Sequence, residues 1–67
     1  MYNPEMLKSK IKEKGYELNF IAGNVKLDED VLNKKIESEL EFSVMEVIKI
    51  SEVLSLSYRE IVDIFFS

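Results

Sequence analysis

Residues 18–42, LNFIAGNVKLDEDVLNKKIESELEF, contain the pattern that decides the fold. Apolar residues recur in this stretch in two short runs at helical spacing. They are Ile21, Ala22, Val25, Leu27, Leu32 and Ile36. The small side chain of Ala22 lets two helices cross closely, and Leu27 is expected to fill the corner between them. The spacing is typical of a helix-turn-helix unit at about residues 18–37, whose second helix is presented to the DNA major groove.

Capping signals on both sides of this unit predict three further helices. Asn3 and Pro4 are favoured at a helix start, and Gly15 is favoured just after a helix end. Two capping boxes, each a serine followed three residues later by a glutamate, open the last two helices. They are Ser43 with Glu46, and Ser57 with Glu60. The sequence therefore predicts one domain, residues 1–67, that is all-α and folds as a compact five-helix bundle.

Length and composition limit the class of function. The chain has 67 residues, 46% of them hydrophobic and 33% charged, which suits one small folded domain. It contains no histidine and no cysteine. Without these residues we expect no enzyme, no metal site and no cofactor. No apolar run approaches the roughly 20 residues of a membrane span, and we expect a cytoplasmic protein without a signal peptide.

The charge of the chain bears on its partner. Its net charge is −4, whereas domains that bind DNA phosphates usually carry a surplus of Lys and Arg. Asp28, Glu29 and Asp30 open the second helix of the unit, predicted over about residues 29–37, where carboxylates cap a helix and oppose its dipole. Four lysines between residues 8 and 14 form the most basic patch. A solvated face and a phosphate contact both remain open for that patch.

The chain resembles the small phage and prophage repressors of the lambda-repressor and Cro (Xre) type, especially short phage proteins from Gram-positive bacteria. The likeness covers nearly the whole chain. Its segments, in order, are LKSKIKEKGY (7–16), Ala22, LNKKI (32–36), EFS (41–43) and IFF (64–66). The resemblance implies a lambda-repressor-like fold and a DNA-binding transcriptional regulator whose partner is a double-stranded operator.

The resemblance also implies which residues face DNA, at the start of the second helix and on the outer side of the third. By position they are Leu18, Asn19, Asp28, Glu29, Asp30, Asn33, Lys34 and Glu37. Asparagine can form two hydrogen bonds with adenine, and Lys34 and Lys35 can reach guanine or phosphate. The chain departs from the family at Leu18, where a phosphate-bonding glutamine is common. It departs again at Lys26, where the turn usually has a glycine, so that either a positive φ or a different turn is expected.

The acidic start of the third helix leaves a second function open. Phosphates repel carboxylates, whereas a basic protein surface attracts them. The alternative is therefore a helix-turn-helix protein that binds another protein, such as a repressor, as an antirepressor or modulator. The fold alone does not decide between the two functions.

The last two helices carry more apolar residues than a small core needs. Inward positions expected in the fourth helix are Val44, Val47, Ile50 (or Ile48), Val53 and Leu54. Apolar residues outside the inward positions are Met45, Ile48, Tyr58, Val62 and Phe66. Scattered exposure of this kind is common, but a group of this size favours a self-association surface. We expect a homodimer held by Ile48, Val62 and Phe66.

Overall fold

The helices begin and end close to the predicted capping residues. The computed structural model describes residues 1–67 and contains no β-strand. Its helices are α1 (Pro4–Lys14), α2 (Leu18–Val25), α3 (Glu29–Ile36), α4 (Val44–Val53) and α5 (Tyr58–Ile61). The chain continues from α5 directly into one π-helical turn over Val62–Phe66. The predicted five-helix all-α domain is confirmed, and the π-helical turn is a feature that the sequence did not predict.

Both predicted capping boxes are formed. The Ser43 hydroxyl accepts a hydrogen bond from the Glu46 N–H at 3.1 Å, and the Ser43 N–H donates to Glu46 Oε1 at 2.9 Å. Ser57 and Glu60 repeat the arrangement at 3.1 and 2.8 Å. Each box satisfies backbone N–H groups that a helix start otherwise leaves without a partner. These bonds fix where α4 and α5 begin.

One core of buried apolar side chains lies between the helices. Its members are Leu7, Ile21, Ala22, Val25, Leu32, Ile36, Val47, Ile50, Leu54, Ile64 and Phe65. Val44 was predicted to face this core, and that prediction is wrong because its side chain is 74% exposed. Val44 is the first residue of α4, where its side chain borders an open groove instead of another helix.

The two ends of the chain lie together. The Asn3 N–H donates to the Ile64 carbonyl at 2.7 Å, and the N-terminal ammonium group donates to the Ser67 carbonyl. Between them the Tyr2 ring stacks on Phe65, with 5.7 Å between ring centroids. The Tyr2 hydroxyl donates to the Ile36 carbonyl at 2.8 Å, and burial raises the pKa of that hydroxyl. The first residues therefore join α3 to the last turn.

None of the helices combines the length and the apolar character needed to cross a membrane.

Candidate nucleic-acid interface

Three residues, Lys26, Leu27 and Asp28, join α2 to α3. Lys26 adopts the left-handed conformation, with φ 60° and ψ 44°, so of the two expected arrangements the chain uses the positive φ. The Leu27 N–H donates to the Ala22 carbonyl at 3.0 Å, and the Leu27 side chain packs against the core as predicted. This short turn holds the end of α2 against the start of α3.

The outer face of α3 carries the exposed residues that were predicted to meet DNA. Leu32 and Ile36 are buried, which turns Asn33 and Lys34 outward into solvent. The side chains of Asn33 and Lys34 form no hydrogen bond or ion pair within the chain. Exposed positions that the sequence assigned to this interface are Asn19, Asp28, Glu29, Asp30, Asn33, Lys34 and Glu37.

The start of α3 is acidic and is not neutralised by the protein. Asp28 occupies the N-cap position, but its side chain makes no capping hydrogen bond. None of the carboxylates of Asp28, Glu29 and Asp30 forms an ion pair. The three carboxylates gain from the positive end of the helix dipole and remain available to an outside partner.

Glu37 has a partner within the protein. Its Oε1 accepts a hydrogen bond from Lys8 Nζ at 2.8 Å, and both side chains are about two-fifths exposed. The hydrogen bond to Glu37 raises the pKa of Lys8. The pair joins α1 to the end of α3, so the charge of Glu37 is offset within the protein.

Lys35 does not belong to the outer face, contrary to the sequence interpretation. Its Nζ lies 2.6 Å from Glu46 Oε1, and the two side chains are only 14% and 16% exposed. Lys35 follows Leu32 by three residues, so it lies on the inner side of α3, next to α4. Although burial raises the pKa of Glu46, the hydrogen bonds from Lys35 and Ser43 together hold that pKa below its ordinary value. Lys35 therefore fixes α3 to α4.

The lysine patch of α1 is divided between two roles. Lys10 pairs with Glu13 at 3.1 Å and with Glu60 at 2.5 Å, and the hydrogen bond from Lys10 is the main cause that lowers the pKa of Glu60 to about 2. Lys12 forms no ion pair and borders a cleft of about 260 Å³ that Asn33 also borders. A phosphate contact was left open for this patch as a whole, and Lys12 and Lys8, four residues apart, lie on the same side of α1.

Comparisons of this chain with protein-family models, with curated proteins and with solved structures found no match. A role for the outer face of α3 therefore rests on its residues and their geometry.

Proposed function

We propose that this protein is a DNA-binding helix-turn-helix transcriptional regulator of phage or prophage repressor type, with α3 as the helix that enters the major groove. One observation carries the proposal. Asn33 and Lys34 are exposed and without partners in the chain, on a helix whose other side is fixed by buried Leu32 and Ile36. A rigidly held helix that presents polar side chains outward is the arrangement used by helix-turn-helix proteins on DNA.

Each polar residue has a defined role in this proposal. The Asn33 amide can donate to adenine N7 and accept from adenine N6, which selects that base. The Lys34 ammonium reaches a guanine edge or a phosphate. Lys12, beside Asn33 across the small cleft, supplies a phosphate contact from α1. Asn19, exposed near the start of α2, is placed to donate to the DNA backbone.

Because of the carboxylates at the start of α3, selective DNA binding must come from contacts with bases and not from contacts with phosphates. Near phosphates they are repelled, which weakens binding to DNA of any sequence. In the groove, a carboxylate from Glu29 or Asp30 can accept a hydrogen bond from cytosine N4. We therefore expect weak non-specific binding and a strong preference for one operator.

A second candidate function is favoured by the three unpaired carboxylates at Asp28, Glu29 and Asp30. They form an acidic edge that could bind a basic surface of another protein, in the manner of an antirepressor or modulator. Long-range attraction of this kind mainly raises the association rate and falls with added salt. Both candidate functions use the same face of α3. Its negative charge weakens binding to DNA but strengthens binding to a basic protein.

Two substitutions on α3 test DNA binding. Lys34→Ala should weaken binding to DNA of every sequence, because one phosphate contact is lost. The slope of the logarithm of the binding constant against the logarithm of the salt concentration should become less steep by about one unit. Asn33→Ala should cost ~1–3 kcal/mol in discrimination at one base pair. Lys49→Ala is the matched control, because it removes the same charge from α4. Binding is measured by fluorescence anisotropy on genomic fragments over a range of salt concentrations.

A charge-removing variant separates the two candidates. Glu29→Ser/Asp30→Ser should strengthen non-specific DNA binding if α3 enters DNA, because two repelled charges are gone. The same variant should slow association with a basic partner protein, most at low salt, if the protein is a modulator. Absence of DNA binding even at low salt would refute the DNA-binding proposal. Tight binding of the unmodified protein to one operator would refute the modulator.

A further inference from the structure

The small cleft between α1 and α3 combines an apolar floor with a charged rim. Its volume is about 260 Å³. Ile11, Leu18 and Ile36 form the floor, where each packs in or against the core. The rim carries Lys8 and Lys12 from α1, and Asn33 and Glu37 from the α3 side. Pockets for drug-sized ligands have volumes of about 300–1,000 Å³, so this cleft suits one small group.

We propose that this cleft binds a small anion with a terminal phosphate or a diphosphate group, and that the Glu37 carboxylate occupies part of the site until the anion arrives. Lys8 Nζ lies 2.8 Å from Glu37 Oε1. The carboxylate therefore already holds Lys8 as a bound anion would, through a charge-assisted hydrogen bond. Both side chains are about two-fifths exposed, so an anion from solvent can reach Lys8 and replace Glu37 there.

The rim of the cleft carries one cation more than Glu37 can neutralise. Lys8 and Lys12 are four residues apart, so their side chains are neighbours on the surface of α1. Lys12 forms no ion pair within the chain. The apolar floor screens charge poorly, which strengthens the attraction of the two ammonium groups for an anion. The cleft is therefore a local positive site on a protein whose net charge is −4.

Competition with Glu37 selects the kind of anion. Glu37 is part of the same chain, so it is always present beside Lys8 at high effective concentration. An anion with one charge, such as a carboxylate or a phosphodiester of the DNA backbone, gains no more from Lys8 than Glu37 does. A terminal phosphate carries about 1.5 to 2 negative charges at neutral pH, and its three oxygens can bond Lys8 and Lys12 together. Charge therefore favours a terminal phosphate over the DNA backbone.

The cleft is distinct from the residues expected for self-association and overlaps the residues proposed to read DNA. Ile48 and Phe66 are exposed and Val62 is partly buried, and none of them lines the cleft. Lys12 and Asn33 do line it. If the proposed function holds, and only then, a phosphate compound bound to Lys12 competes with DNA and acts as an effector of the regulator.

Two-dimensional NMR of the full chain, titrated with inorganic pyrophosphate in the absence of DNA, tests the site. The amide signals of Lys8, Lys12 and Asn33 should shift, with a dissociation constant on the order of millimolar. Dimethyl phosphate carries one charge and should bind at least about tenfold more weakly. Sodium chloride keeps the ionic strength constant, so that general screening does not contribute.

Two variants test the competition. Glu37→Gln should strengthen pyrophosphate binding about threefold to fivefold, because the exposed pair that must be broken is gone. Lys8→Met should weaken it at least about fivefold, because one of two cations is lost. Lys12→Met, which breaks no ion pair, replaces Lys8→Met if circular dichroism shows that Lys8→Met is unfolded.

Glu5→Gln is the matched control. The hydrogen bond to Glu37 is the main cause that raises the pKa of Lys8, and the charge of Glu5 adds to it. Glu5 forms no ion pair, so its replacement removes the same charge near the same lysine but leaves Glu37 in the cleft. Pyrophosphate binding should therefore change less than about twofold.

Three results would overturn the proposal. They are unchanged amide signals at the cleft of the unmodified protein, equally strong binding of dimethyl phosphate, and equal strengthening by Glu5→Gln and Glu37→Gln. Fluorescence anisotropy on duplex DNA then tests the effector role. Pyrophosphate should displace DNA more than sodium chloride of equal ionic strength does, and equal displacement would refute that role. Because the NMR titration contains no DNA, a failure of DNA binding would leave the phosphate site standing.

Discussion

Replacing Lys35 by methionine removes the cation that joins α3 to α4 and keeps a side chain of similar length. Lys35 Nζ lies 2.6 Å from Glu46 Oε1, the same oxygen that accepts the Ser43 N–H at 2.9 Å. After the substitution, the Glu46 carboxylate keeps the capping bond but loses its counter-ion. It is left mostly buried, with only 16% of its side chain exposed.

The magnitude follows from this burial. Breaking a fully buried ion pair costs about 3–5 kcal/mol, whereas exposed pairs contribute about 0–1 kcal/mol. The side chains of Lys35 and Glu46 are 14% and 16% exposed, which places the pair between these two cases. We therefore expect Lys35→Met to lower the free energy of unfolding by about 2 kcal/mol. In a domain of this size 1 kcal/mol corresponds to roughly 4–8 °C, so Tm should fall by about 8–16 °C. The double variant Lys35→Met/Glu46→Gln should be more stable than Lys35→Met, because no unpaired charge remains.

Urea denaturation followed by circular dichroism gives the free energy of unfolding of each variant. Lys34→Met is the matched control, because Lys34 is the neighbouring residue, is exposed and has no partner. Its free energy of unfolding should stay within about 0.5 kcal/mol of that of the unmodified protein. Replacing Lys8 by methionine removes the exposed Lys8–Glu37 pair and should lower the free energy of unfolding by less than about 1 kcal/mol. An equal free energy of unfolding for Lys35→Met and Lys34→Met would show that the Lys35–Glu46 ion pair does not stabilise the fold.

Four further substitutions test the stability of the fold. Gly23→Ala should stabilise the protein by about 0.5–1 kcal/mol, because an added Cβ meets no atom within 4 Å and alanine favours a helix. Gly15→Ala should destabilise it by about 1 kcal/mol, because Gly15 has a φ of 75°. Urea denaturation should show these opposite signs. Tyr2→Phe should lower the free energy of unfolding by about 0.5–1.5 kcal/mol through loss of the hydrogen bond to the last carbonyl of α3, and an unchanged urea midpoint would contradict this. The pKa of Glu60 is lowered to about 2, chiefly by Lys10, so its contribution is present above the ordinary value of 4.5 and is lost as the pH falls towards 2. Thermal unfolding across that range should show a smaller acid-induced loss for Glu60→Gln, and identical profiles would rule out this role.

Helix boundaries could be predicted because they depend on residues close in sequence. Ser43 and Glu46 are three residues apart, so the bonds of their capping box follow from local geometry alone. The same holds for the end of α1 at Gly15. The conformation of Lys26 could not be predicted from nearby residues. A positive φ is sterically unfavourable for lysine, and the packing of α2 on α3 must offset that cost.

Ion pairs between distant residues could not be predicted. Lys8 and Glu37 are 29 residues apart, and Lys35 and Glu46 are 11 apart. Whether such residues meet depends on how the helices cross, which apolar spacing specifies only approximately. The sequence therefore proposes residues for the candidate site, but it does not show which of the lysines are already paired within the protein.

The meeting of the chain ends has a practical consequence. Because the Asn3 N–H bonds to the Ile64 carbonyl, a short glycine linker could connect residue 67 to residue 1 without moving either end. The chain could then be opened in the exposed turn at residues 38–40, and the circular permutant should keep the fold. The same proximity constrains purification. Met1 and Phe66 line one groove, so a tag at either terminus lies beside Phe66 and should be cleaved before self-association is measured.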